Sequence, residues 1–176
     1  MMKGGAVIES NYRYLLWREW NSSGKSIVFV MLNPSRADAT VNDRTITRCL
    51  QFARSWGYGR LEVVNLFAYR TSKPSLLKQA LERTSLCAKP NSAPVSSPIG
   101  KDNYRYIKES VARCDLTILA WGNYGIWQQQ DLMVFQLLKN YSPFYCLGVT
   151  KRGCPRHPLY LKSSTQPQMF YPSRQM

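Results

Sequence analysis

The chain has 176 residues, and its 24 Lys and Arg against 10 Asp and Glu leave a formal net charge of +14. Hydrophobic residues at 44% and aromatic residues at 12% exclude a disordered polyelectrolyte, and the longest apolar runs, such as IVFVML at 27–32, fall far short of the ~20 residues that span a membrane. The length fits one domain over 1–176 with a core that needs neither disulfide nor metal. The opening MMKGGAVIESNYR, interrupted by Glu9, lacks a signal-peptide core, so a cytoplasmic protein is expected.

YRYLLW at 12–17 reads as a first strand, closed by the turn Asn21-Ser22-Ser23-Gly24. SIVFVML at 26–32 is a continuous, β-branched apolar run and predicts a buried strand, ended by Asn33-Pro34-Ser35. Ile46, Cys49, Leu50, Ala53 and Trp56 recur at helical spacing over 43–56, with Asn42 or Asp43 as N-cap and Gly57 as stop. LEVVNLF at 61–67 is the next strand, and 75–83 a short helix. Residues 84–100, with three prolines and four serines, predict a mobile loop. A helix follows over 102–113, with Tyr106, Ile107, Ser110 and Val111 inward. A strand then covers 115–120, a helix 127–140 and a fourth core strand 144–149. The remainder is basic and Pro-rich, with a short polar tail over about 163–176.

Apolar strands alternating with helices imply βαβ units, hence an α/β fold with a mostly parallel sheet covered on both faces. Ligands of such folds sit beyond the carboxyl ends of the strands. Those ends carry Asn33-Pro34-Ser35, Asn65, Trp121-Gly122-Asn123 and the segment Thr150 to His157.

The five cysteines contain no CxxC pair, and His157 is the sole histidine, so no Cys/His zinc site is expected. Reduced, chemically indifferent thiols are the simple reading. Cys154, three residues from His157, is the one thiol spaced for an imidazole partner. No phosphate-cradling glycine loop, HExxH helix or GxSxG elbow is present, and no cofactor is expected. The charge fits a polyanionic partner. It is dense at Arg44, Arg48, Arg54 and Arg60 and again at Lys151, Arg152, Arg156 and Lys162.

MLNPSRADATVNDRTITRCLQFARSWGYGRLEVVNLFAYR at 31–70, ILAWGNYG at 118–125 and CLGVTKRGCPRHPLYL at 146–161 closely resemble the bacterial and phage family known as domain of unknown function 1643. That family name supplies no activity. The order of Asn-Pro-Ser after one core strand, Asn65 within VVNLF, Trp121-Gly122, and then His157-Pro158-Leu159-Tyr160-Leu161 is also similar to the uracil-DNA glycosylase superfamily. That second resemblance implies a three-layer α/β/α fold, DNA as partner, and cleavage of the N-glycosidic bond of uracil or a modified pyrimidine after base flipping.

On this resemblance Asn33 takes the place of the residue that positions the attacking water, Asn65 reads the base edge, and His157 donates to the leaving base. Pro34, Ser35, Trp121 and Gly122 fall in the substrate-binding motifs. Phe67 or Tyr69 is the candidate to stack on the base, because Ile46 stands where the superfamily has an aromatic residue. Arg44, Arg48, Lys151, Arg152, Arg156 and Tyr160 are candidates to hold phosphates or nucleic acid. Asn33 is not a carboxylate, which removes a strong general base from that position; Asp38 is the nearest substitute. Two other readings stand beside the enzyme: a module that binds a nucleotide or nucleic acid in the same pocket without chemistry, and a protein that blocks another nucleic-acid enzyme.

Overall fold

The computed structural model describes residues 2–86 and 96–171. Seven strands form one mixed sheet in the order β1-β2-β4-β3-β5-β6-β7. They are β1 Lys3–Glu9, β2 Tyr12–Glu19, β3 Ser26–Met31, β4 Arg60–Asn65, β5 Leu116–Leu119, β6 Tyr145–Cys146 and β7 Gln168–Met169. The central strands β4, β3, β5 and β6 run parallel. The β1–β2, β2–β4 and β6–β7 pairings are antiparallel, so the expected mostly parallel sheet is corrected to a parallel centre with antiparallel flanks. Among the described residues no helix is long and apolar enough to cross a membrane.

Alternation along β3 sends Val28 and Val30 into one core cluster and Ile27, Phe29 and Met31 into the other, the period-2 geometry of a strand buried on both faces. The first cluster takes in Leu77 and Leu81 of α2 (Pro74–Leu86), Ile107 and Val111 of α3 (Asn103–Arg113), and Val134, Phe135 and Leu138 of α4 (Gln130–Leu138). The second takes in Ile46, Cys49, Leu50, Phe52 and Ala53 of α1 (Arg44–Ser55). α1 starts where Asp43 accepts the Ile46 amide at 2.9 Å, and Gly57 at φ +81 follows its end.

Several boundaries differ from the sequence expectation for local reasons. β1 was not expected, because KGGAVIE has no sustained apolar alternation. Its two glycines are required where Arg18 and Trp17 lie across the strand, since a Cβ at Gly4 or Gly5 would stand 2.8 Å from Arg18 Cδ or 2.6 Å from Trp17 Nε1. α4 begins at Gln130 rather than 127, because Gln128 and Gln129 adopt φ of 51° and 55° and end the 3-10 segment Gly122–Gln129. The 144–149 run yields only the two-residue β6, after which Gly148 at φ +105 turns the chain. The polar tail is not featureless: β7 pairs with β6, and Phe170 stacks on Phe135 at 5.7 Å between ring centres. Of the expected mobile loop 84–100, α2 claims 84–86 and Ile99 packs against the core. Residues 87–95 of that loop lie outside the described residues, as do 172–176 of the tail.

Candidate functional site

A cavity of about 730 Å³ opens at the carboxyl edge of the parallel strands. The register explains its position. Met31, the last residue of β3, pairs with Asn65, the last of β4. β5 ends at Leu119, and Trp121 and Gly122 follow after Ala120. Three chain segments thus leave the sheet side by side, as the ligand edge of an α/β sheet requires. The cavity wall includes Asn33, Asn65, Trp121, Gly122 and His157 together.

The Asn33 amide is locked. Its Nδ2 donates to the carbonyl oxygens of Pro34 at 3.0 Å and Thr71 at 2.8 Å, with Tyr69 O at 3.5 Å. Carbonyl acceptors around one end of the amide fix which end is nitrogen, and Oδ1 is left as the acceptor free for a ligand or water. Asn65 is 1% exposed, and its Nδ2 is buried with no hydrogen-bond partner. Buried donors are usually paired, and because Asn65 also lines the cavity its amide is a candidate contact for a ligand. The backbone beneath it is held by Asn103, whose Nδ2 donates to the carbonyls of Asn65 and Leu66 at 2.9 and 3.0 Å.

His157 caps the short 3-10 turn Pro158–Tyr160, its Nδ1 accepting the Leu159 amide at 3.3 Å. The neutral tautomer that accepts at Nδ1 carries its proton on Nε2, so the ring keeps one N–H donor. Desolvation lowers the imidazole pKa from its ordinary value, and the carboxylate of Asp43 only partly opposes this. The loop bearing His157 is tied to the Trp121 segment by the Gly122 amide on Pro155 O at 2.8 Å and by Thr150 Oγ1 on Asn123 Oδ1 at 2.6 Å. Gly122 has φ +71, which makes glycine the low-strain residue there.

Ser35, Arg152, Arg156 and Tyr160 also reach the cavity, Tyr160 at its rim with 87% exposure. Other expected residues do not. Phe67 is 0% exposed within the core beside α2 and α3, so it is corrected from stacking residue to packing residue. Pro34 is buried outside the lining, and Arg44 and Lys151 are exposed away from it. Arg48 is also outside the lining: its guanidinium donates to Leu161 O and, at 2.9 Å, to Gln51, and sits 4.6 Å over the Phe52 ring. It therefore fastens the segment after His157 to α1. Asp38 accepts the Thr40 and Val41 amides, which hold its carboxyl low, and lies outside the cavity. Cys154 is buried outside the lining as well.

Arg13, Thr45 and Thr71 stand at the cavity wall without having been expected there, whereas Asn123 and Thr150, expected at the strand ends, stand there too. The sequence marks Asp43 as a cap. Asp43 is one, with Oδ1 on Ile46 N and Oδ2 on Ala37 N at 3.4 Å, and it is also the single carboxylate in the lining. Against it stand Arg13, Arg152 and Arg156, so the cavity is positive and suits an anionic ligand.

The family model described as "Protein of unknown function (DUF1643)" matches residues 13–159. The chain belongs to the DUF1643 family. No curated protein and no solved structure matches it. The matched span runs from Arg13 to Leu159 and so takes in every segment that walls the cavity except the last two residues of the rim, Tyr160 and Leu161.

Proposed function

We propose that this DUF1643 protein binds a pyrimidine base or nucleotide in the cavity and cleaves its N-glycosidic bond in the manner of the uracil-DNA glycosylase superfamily. The observation that carries this reading is the convergence of Asn33, Asn65 and His157 on one cavity at the carboxyl edge of the parallel strands. Core clusters on both sheet faces, one with α1 and the other with α2, α3 and α4, support the three-layer arrangement.

The division of labour follows from the donors and acceptors. The unmatched Asn65 amide meets the base edge. The C1′–N bond breaks toward the base, and the departing anion is held by the His157 Nε2–H, a neutral donor at neutral pH because burial keeps the imidazole uncharged. Water oriented by Asn33 Oδ1 adds to the oxocarbenium carbon and releases its proton to solvent. An amide suffices for this step, since the electrophile is already cationic. The basic wall fits nucleic acid or another phosphate-bearing partner.

Release of free base from single- and double-stranded DNA carrying uracil or modified pyrimidines tests the reading. Wild-type protein is expected to release base, and Asn33→Ala and His157→Ala to lose at least ~100-fold of the rate. Absence of release on every substrate, with nucleotide binding retained, turns the reading to the non-catalytic binding module. Two observations favour that second reading: both oxygens of Asp43 are occupied by backbone amides, and Phe67 is withdrawn into the core.

A further inference from the structure

We propose that Arg13 and the first turn of α1 form a phosphomonoester subsite in the cavity, so that the ligand is a nucleotide carrying a terminal phosphate rather than a base alone. This rests on the reading of the cavity as a nucleotide site and specifies its ligand.

Arg13 is 2% exposed, yet it lines the cavity. A guanidinium has five N–H donors. Here Nη1 donates to Ala37 O at 2.8 Å, and Nε is buried with no partner. Among the described residues no carboxylate forms an ion pair with it. Asp43 exerts the strongest charge interaction on it, an attraction short of an ion pair, followed by repulsion from Arg70 and Arg18 and a smaller attraction from Asp38. Burial is the largest influence and brings the Arg13 pKa down to about 10, so the group stays cationic at neutral pH. A buried cation without a paired anion is costly unless a ligand supplies one.

A second feature points the same way. Asp43, Thr45 and Ile46 of the α1 start share the lining with Arg13. Asp43 satisfies the Ile46 amide and the helix takes up Thr47, but the amide of Thr45, a lining residue, has no acceptor within the helix. Such an amide at the start of a 12-residue helix favours an anion. The Thr45 side chain adds a hydroxyl. Size agrees: about 730 Å³ lies within the range of sites for whole small ligands, and a lone pyrimidine leaves most of it empty.

The test is ligand-dependent thermal stabilisation and calorimetric binding of the full chain with inorganic phosphate, deoxyuridine, deoxyuridine 5′-monophosphate, and an oligonucleotide with and without a 5′-phosphate. Wild-type protein is expected to bind phosphate and the monophosphate. Arg13→Met is expected to weaken both by about ten- to a hundredfold while leaving deoxyuridine unchanged. Arg13→Lys keeps the charge and loses the planar fork; it is expected to weaken the monophosphate too, and carries the test if Arg13→Met does not fold. Stronger binding of the 5′-phosphorylated oligonucleotide assigns the phosphate to a strand end, and a response confined to the monophosphate assigns it to a free nucleotide. Wild-type monophosphate affinity in either Arg13 variant, or Arg13-dependent binding of the unphosphorylated oligonucleotide, overturns the proposal. If deoxyuridine fails to bind while phosphate binds through Arg13, the base-reading function falls and the subsite stands.

Discussion

The protonation of His157 gives the sharpest test of the proposed chemistry. It is the only histidine in the chain, so its ring protons report on one group in a proton NMR titration. Two physical effects bear on it with the same sign. Desolvation lowers its pKa from 6.5. A proton on Nδ1 would also turn an acceptor into a donor facing the Leu159 amide 3.3 Å away, breaking a hydrogen bond worth about 0.5–1.5 kcal/mol. The titration midpoint is therefore expected below 6.5. Between that midpoint and 6.5 the unfolded chain binds more protons than the folded one, so stability falls as pH drops through this window and is unaffected by His157 above it. His157→Ala removes this part of the pH dependence and the Nε2–H donor together. Loss of one such donor to a developing anion costs about 2.7–4 kcal/mol, a 10²–10³-fold loss of base release. A midpoint at or above 6.5, or an unchanged pH dependence of Tm in His157→Ala, refutes the description of a buried neutral donor.

Asn65→Ala removes a buried donor that has no partner, so chemical denaturation should show a stability change under ~1 kcal/mol while base binding is lost; a large destabilisation would mean that the amide is structural. Gly122→Ala meets nothing closer than His157 Cβ at 4.0 Å, so only backbone strain at φ +71 acts, and unfolding curves should show a loss of about 1–2 kcal/mol with the fold retained. Glu62 is 0% exposed, and although burial raises its pKa, hydrogen bonds from Arg113, Ser110 and Arg60 hold it below the usual carboxylate value. Its stabilisation is present above pH 4.5 and lost as pH falls through the lowered pKa. Since the side chains of Arg60 and Arg113 are 28% and 43% exposed and can rehydrate, Glu62→Gln should cost about 1–3 kcal/mol at pH 7 and less in acid, read from denaturant midpoints at both pH values.

The parallel centre was legible because its strands are buried on both faces. SIVFVM, LEVVN and LTIL are short apolar runs between helical periods, and only a covered sheet accepts them. The strand-ending residues Asn33, Asn65 and Trp121 followed from the same rule about sheet edges. The flanks were hidden for the opposite reason. β1 has an exposed and half-exposed pattern without a regular alternation, and β6 and β7 are two residues each, too short for periodicity to register. Phe67 misled because one residue along a chain that has just left a strand changes which face a ring meets. Arg48 misled because its charge marks it for a phosphate but says nothing of the Leu161 carbonyl, 113 positions away. Tertiary partners of that range leave no trace in a single sequence.

Arg13 shows how topology, rather than spacing, determines what the cavity contains. In YRYLLW an arginine between two tyrosines looks like the solvent side of an edge strand. β2 is neither at the edge nor parallel: it sits between β1 and β4 and runs against β4, with Leu16 opposite Val63 and Glu19 opposite Arg60. An antiparallel strand begins where its neighbour ends. The first residues of β2 therefore lie at the edge where β3, β4 and β5 finish, and the Arg13 amide donates to Ala68 O, three residues beyond β4. Had β2 run parallel to β4, Arg13 would lie at the opposite edge, far from His157. The antiparallel insertion that breaks the expected parallel order is thus what brings a buried guanidinium to the ligand edge. A neutral residue at 13 would leave the cavity with only the exposed cations Arg152 and Arg156, which solvent screens far more than it screens a group buried as Arg13 is.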